Sequence, residues 1–318
     1  FVISVDLIAN FQLGWDGHFW YLKALNFYEN FSFFNLENTT NNYYPHLGGI
    51  IWGLFWKISA LNYEFFGRII YIFVYVISIL CVSEKISNNF NIRLIFSVIL
   101  FFLTYDHFLF GGYQGYLLFS LIIIISNLLS KLSMKNLNYS QLFLIILISY
   151  LLAWIKNEGI FYFSFIVLFL MYFQTNNKKF FSAILFSFLI LLKMLLFSKI
   201  SGYSLIGNNI NLDLITNDLF FKIFLISEHI VIAMFRYPIW ILIFFSLFLK
   251  KLDKNETYII YLTLLSILFI YFVYLNTETQ KLNWAVTNSL DRLLFHISGF
   301  YMIFLSYRLK YFCKKFIK

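Results

Sequence analysis

Gly14-Trp15-Asp16-Gly17-His18-Phe19-Trp20, followed some way on by Tyr43-Tyr44-Pro45-His46, is one of the few places where polar groups gather in a chain that is otherwise mostly hydrocarbon. Around it the 318 residues are 61% hydrophobic, 23% aromatic and 12% charged, with a mean hydropathy of +0.78. A soluble surface needs about a quarter of its residues charged. Length alone would allow two soluble domains, but this composition reads as one polytopic membrane unit. The net charge of +9 is not a nucleic-acid signal, because the lysines sit in short runs between apolar segments. Cys81 and Cys313 fall at ends of apolar segments on the lysine-rich side, so no disulfide is expected and neither is given a role. Residue 1 lies inside an apolar stretch with no basic region before it. That stretch reads as the tail of a span whose beginning lies upstream, not as a signal peptide.

Outward from this stretch, apolar runs near the roughly 17–25 residues needed to cross a bilayer occur at 66–83, 93–110, 113–130, 139–155, 158–173, 180–198, 232–249, 257–275 and 288–307. The connections between them sort by charge. One set holds Lys85 and Arg93, then Lys131 and Lys135, Lys178 and Lys179, Lys250, Lys251 and Lys254, and the tail from Arg308 to Lys318. The alternate set holds residues 1–65, Tyr105 to Gly112, Lys156 to Glu158, Ser201 to Lys222 and Asn276 to Asp291. The sets alternate without a break if each run crosses once, which places the basic set in the cytoplasm and the other outside. The fold expected is therefore an all-α polytopic membrane protein of about nine spans, plus one upstream. Residues 1–65 form an external first loop, 66–307 the transmembrane bundle and 308–318 a basic cytoplasmic tail.

Two stretches do not read as full spans. Residues 47–60 are short, Trp-rich and carry Lys57, as expected of an amphipathic helix in the outer interface. Residues 222–236 carry Glu228, His229 and Arg236 before Pro238, which should break or kink the helix. Four Asn-x-Ser/Thr sequons, at Asn30, Asn38, Asn138 and Asn255, fall on both sides of the membrane and read as background in an Asn-rich chain.

Asp16 precedes an apolar-aromatic run with Phe19, Trp20, Lys23 and Phe27 at helical spacing. It reads either as a helix N-cap or as a carboxylate at the membrane surface that deprotonates an acceptor hydroxyl or holds a divalent cation. The two roles are compatible. Trp15 to Trp20 with Lys23-Ala24, then Tyr44-Pro45-His46-Leu47, then Gly67-Arg68 opening a span, resembles the GT-C class of membrane glycosyltransferases. More narrowly, it is similar to bacterial relatives of the protein-mannosyltransferase and aminoarabinose-transferase group. Lys156-Asn157-Glu158-Gly159 and the late Ser289-Leu290-Asp291-Arg292-Leu293-Leu294 add to the likeness. It departs from the pattern at Asp16-Gly17, where many relatives carry Asp-Glu, and at Gln114, where an acid often follows Gly-Tyr. Asp106, at the start of the same loop, is the substitute carboxylate.

The resemblance implies an inverting transfer of a sugar from a polyprenyl-phosphate donor to a lipid, glycan or protein acceptor on the outer face of the membrane, in bacteria the periplasmic face of the inner membrane. It leaves open one cofactor, a divalent magnesium or manganese ion, with Asp16 and Asp106 as ligands. Asp16, Asp106 and Glu158 are the candidate catalytic acids, and His18, Tyr44, His46 and Lys156 the candidate substrate-binding groups. A lipid phosphate leaves as an anion, so the site needs a cation. Arg292, Lys281 and Arg236 lie in or beside outward loops, and the planar fork of arginine binds phosphate bidentately. Each has a plainer reading: Arg292 as an interfacial residue paired with Asp291, Lys156 with Glu158 as a local ion pair, and the histidines as loop polar groups. Arg68 and Glu64 read as an interfacial anchor pair, and Lys193, inside a span, either snorkels outward or meets the carrier phosphate. The rival functions are a transporter or flippase of lipid-linked glycans, which would line a mid-membrane path with charge, and a polysaccharide polymerase or ligase, which would carry a larger late outward loop.

Overall fold

A computed structural model describes residues 8–13, 15–30, 42, 44–59, 62–106, 109–131, 137–202, 212–248 and 257–316, and among them there is no strand. Among the described residues, after a helical stretch at 8–10, thirteen helices follow one another: α1 Trp15–Asn30, α2 Leu47–Ile58, α3 Phe65–Ile86, α4 Phe90–Thr104, α5 Gln114–Lys131, α6 Tyr139–Ile155, α7 Gly159–Phe173, α8 Asn176–Ser201, α9 Leu212–Thr216, α10 Leu219–Arg236, α11 Pro238–Phe248, α12 Thr257–Leu275 and α13 Thr279–Phe316.

Local chemistry explains where several of them begin and end. Asn138 accepts a hydrogen bond from the Gln141 amide while the Gln141 side chain bonds the Asn138 N–H, a capping box that starts α6. That asparagine is a helix cap, where the sequon pattern had made it look incidental. Gly202 closes α8 in the left-handed conformation, φ 65°. Pro238 opens α11 and cannot continue α10, so the pair is bent by 92° at Tyr237.

Each expected apolar run contains a helix, but among the described residues fewer helices are full spans than the run lengths implied. By length and apolar composition two described helices can cross a membrane, Phe65–Ile86 and Asn176–Ser201, and a third span results if the bent pair counts as one. Others stop short. Phe90–Thr104 and Gly159–Phe173 have 15 residues each, about 22 Å at 1.5 Å per residue, against a hydrocarbon core of about 30 Å. The described residues beyond Thr104 that were counted within the run 93–110 are not α-helical, and those at 109–110 enter the turn at Gly111 and Gly112. Apolar composition extends across such a turn, whereas the backbone hydrogen bonds do not. Large apolar side chains nonetheless cover the outer faces, among them Phe188, Leu195, Phe224, Phe235 and Phe245, as lipid contact requires.

The described fold divides into two compact units, residues 1–78 with 105–207 and residues 79–104 with 208–318. In the first, α1 packs on α2 at close range because α2 presents glycines to it. A Cβ at Gly53 would stand 2.5 Å from the Ala24 carbonyl oxygen, and one at Gly49 2.8 Å from the Lys23 Cβ. Trp52, fully buried, fills the space left by two more glycines, Gly67 and the positive-φ Gly112. Lys57 of α2 donates to the Tyr28 carbonyl at 2.9 Å, and Tyr28 stacks on Trp56 at 4.0 Å. In the second unit the long α13 is the spine, with α10, α11 and α12 against it.

Candidate functional site

The polar first loop folds into the first unit. Asp16 is the second residue of α1, inside the first turn and not at the N-cap position that one reading gave it; its side chain is outside the described residues. Lys23 follows seven positions later, two turns along the same register and about 10 Å up the axis. Its ammonium is buried (2% exposed) and donates to the Tyr44 carbonyl at 2.9 Å, with the Trp20 ring 5.0 Å away. Burial pulls the Lys23 pKa down to about 7. Trp20 in turn meets the Tyr44 ring edge-on at 5.8 Å.

Tyr44 leads through Pro45 to His46, the N-cap position of α2. A histidine there makes no side-chain cap bond. Its ring is 2% exposed, both nitrogens lack a hydrogen-bond partner, and one face stacks on Phe197 of α8 at 5.8 Å. Burial, then the positive charges of Lys23 and Lys193, lower the His46 pKa to about 3, so the imidazole is neutral. Asn42 fixes the same segment to α8 by donating to the Ser201 carbonyl at 3.1 Å.

Lys193 completes the cluster from α8. It is 1% exposed, donates to the Ala153 carbonyl at the end of α6, and lies over Trp154 at 5.3 Å and Phe197 at 5.7 Å. It therefore does not snorkel to the surface. Among the described residues no carboxylate pairs with it. His46 and Lys193 thus share the Phe197 ring, while Lys23 and His46 share the Tyr44–Pro45 turn. The outcome is two ammonium groups and an unpartnered imidazole enclosed by aromatic rings. The sequence marked His46 and Tyr44 as candidates, placed Lys23 at helical spacing and in the family likeness without giving it a role, and left Lys193 undecided. A lysine in the middle of an apolar run was the available signal.

The other candidates fall elsewhere. Lys156 is buried and 3.6 Å from Glu158, the local ion pair expected as the plainer reading, at the turn between α6 and α7. Asp106 is half-buried at the start of the α4–α5 connection, and its backbone carbonyl accepts from the Leu109 amide at 3.0 Å. His18 is exposed on α1. Gln114, standing where an acid was looked for, is a buried structural group whose amide donates to the Tyr71 hydroxyl at 2.8 Å and the Gly112 carbonyl at 3.2 Å. Arg68 pairs with Glu64 as expected, and it does so buried in the fold. It is 3% exposed and ties Glu64 (2.8 Å) to the carbonyls of Phe110 (2.7 Å) and Ile8 (3.2 Å).

In the second unit Asp291 pairs with Arg236 at 2.5 Å, not with its neighbour Arg292, because α10 brings Arg236 alongside α13. Arg292 is exposed, and Lys281 is bound to Glu278 at 2.8 Å on the surface. Among the described residues no three of His, Cys, Asp and Glu come together as a metal-ligand group. No family model, curated protein or solved structure matches the chain.

Proposed function

We propose that the protein is a membrane glycosyltransferase of the GT-C type, moving a sugar from a polyprenyl-phosphate donor to an acceptor at the outer face of a bacterial inner membrane. The observation that carries this reading is the register of α1: Asp16 and the buried Lys23 lie two turns apart on one side of one helix. Inverting transfer needs a base on the acceptor side of the sugar and a cation on the leaving-phosphate side. An acid and an ammonium about 10 Å apart can flank a sugar ring in that way. Asp16 acts as the base, or as the ligand of a divalent cation, with Asp106 and Glu158 in support.

The test follows radiolabel from polyprenyl-phosphate sugars into acceptors in membranes carrying the full chain. Asp16→Asn should leave insertion and expression unchanged and lower transfer by about 10²–10⁴-fold, the usual contribution of a general base. Normal turnover in that variant removes Asp16 from the mechanism.

One feature favours a second reading. The 92° break between α10 and α11 is the kind of discontinuous helix that transporters use at their binding sites. Movement of a lipid-linked glycan across reconstituted vesicles, with no new glycosidic bond, would select that reading.

A further inference from the structure

Two buried groups of the first unit, His46 and Lys193, have a chemistry that the fold itself does not use up, and the Lys23 ammonium lies close enough to act on the His46 ring. His46 has two unpartnered nitrogens behind a 2% exposed surface. A buried polar atom without a partner is a rarity in native proteins and calls for an explanation. The charges acting on its ring are both positive, from Lys23 and Lys193. Burying like charges together without an anion is costly, whereas an anion among them converts repulsion into attraction. The backbone contributes in the same direction. His46 caps α2, whose first intrahelical bond runs from the Ile50 amide to the His46 carbonyl at 2.9 Å. The amides of Leu47, Gly48 and Gly49 therefore belong to the first turn, where a helix presents partial positive charge. Gly48 and Gly49 let neighbours approach that end closely: a Cβ at Gly48 would stand 1.3 Å from the Gln114 Oε1, and one at Gly49 2.8 Å from the Lys23 Cβ, which brings α1 against the start of α2.

We propose that Lys193, His46, Lys23 and the N-terminal turn of α2 form a binding site for a phosphate group. The ligand is a phosphate ester whose anionic oxygens accept from the Lys193 and Lys23 ammoniums and from the one N–H of the neutral imidazole. The surrounding rings, Trp20, Trp154 and Phe197, suit a ligand whose remainder is hydrocarbon. This deepens the transferase reading and rests on it for the identity of the lipid. It also places the phosphate in the first unit, on the helix that carries Asp16, where the sequence had pointed to Arg292, Lys281 and Arg236.

The experiment uses the full chain in lipid nanodiscs, titrated with farnesyl phosphate, farnesol and inorganic phosphate while tryptophan fluorescence is read. Farnesyl phosphate should bind, Lys193→Met should weaken it at least tenfold, and His46→Leu should do the same while His46→Gln, which keeps an N–H donor, should not. The melting transition of each variant is recorded without ligand, and Lys23→Met replaces any that fails to fold. Farnesyl phosphate binding more tightly than inorganic phosphate identifies a lipid headgroup; equal binding identifies free phosphate. Farnesol binding as well as farnesyl phosphate, or folded variants binding like the parent chain, overturns the proposal. Binding without sugar transfer would reject the transferase and leave the site. Transfer that survives Lys193→Met with unchanged binding would reject the site and leave the transferase.

Discussion

Two buried lysines, one in each unit, show opposite solutions to the same problem. Lys222 in α10 is fully buried and donates to three carbonyls: Leu214 at 2.6 Å, Thr277 at 2.7 Å and Leu275 at 3.3 Å. An ammonium has three protons, and here each has an oxygen. Two of those oxygens lie at the C-terminal end of α12, where a cation also meets the negative end of the helix. Lys193 is as deeply buried, yet it has one carbonyl and two aromatic faces, and the neighbouring imidazole has no partner at all. The fully bonded lysine is a clip that fastens the α9–α10 corner to the end of α12. The incompletely bonded one, beside another cation and an unpartnered imidazole, is the group that the proposed phosphate would complete. The two cases show that burial of a charge does not by itself mark a site. What marks it is the number of hydrogen bonds the fold leaves unmade.

The contrast can be attacked directly. Lys222→Met should cost about 2–5 kcal/mol, since three partly buried carbonyls lose their charged donor at once. Thermal melting of the purified chain measures it, and a drop no larger than that of Lys193→Met would erase the distinction. Gly53→Ala should destabilise by about 1–3 kcal/mol, because its Cβ would meet the Ala24 backbone oxygen at 2.5 Å and separate α1 from α2. An unchanged melting temperature would mean that the two helices are not held at close range.

Acid–base behaviour supplies a sharper test of the cluster. The Lys23 pKa is lowered to about 7, from an ordinary value near 10.4. Between these values the folded chain has released a proton that the unfolded chain keeps, so the stability of the unliganded protein rises with pH over that window. Phosphate binding has the opposite sign. It needs the ammonium and should weaken up to about tenfold per unit above pH 7. His46 stays neutral there, Lys193 faces the same site, and the second ionisation of the phosphate, near 6, is already complete. Affinity that is flat between pH 7 and 9 would remove Lys23 from the binding set. The smallest effect belongs to the surface of the second unit. Arg236→Ala, breaking a pair in which the arginine is 63% exposed, should change melting by no more than about 1 kcal/mol.

Much of this was legible beforehand. The all-helical class, the positions of the apolar helices, the short Trp-rich α2 and the break at Pro238 follow from local rules of composition, length and backbone chemistry. The span count was less legible, because apolar residues run on through turns such as the one after Thr104 and blur the helix ends. For the charged residues, local reading assigned the partner of Asp291 to its neighbour Arg292, and the helix packing gave it Arg236 instead.

The sequence by itself determined that this chain places most of its residues in hydrocarbon-rich helices, and that its polar groups gather at a few places, one of them near the amino end. Only the tertiary structure decided which cations are enclosed and which are merely adjacent to acids. Helix formation is settled by residues a few positions apart, whereas the fate of a buried charge depends on carbonyls, rings and charges contributed from distant parts of the chain. Lys23, His46 and Lys193 stand on separate helices and become one site only when α1, α2 and α8 pack.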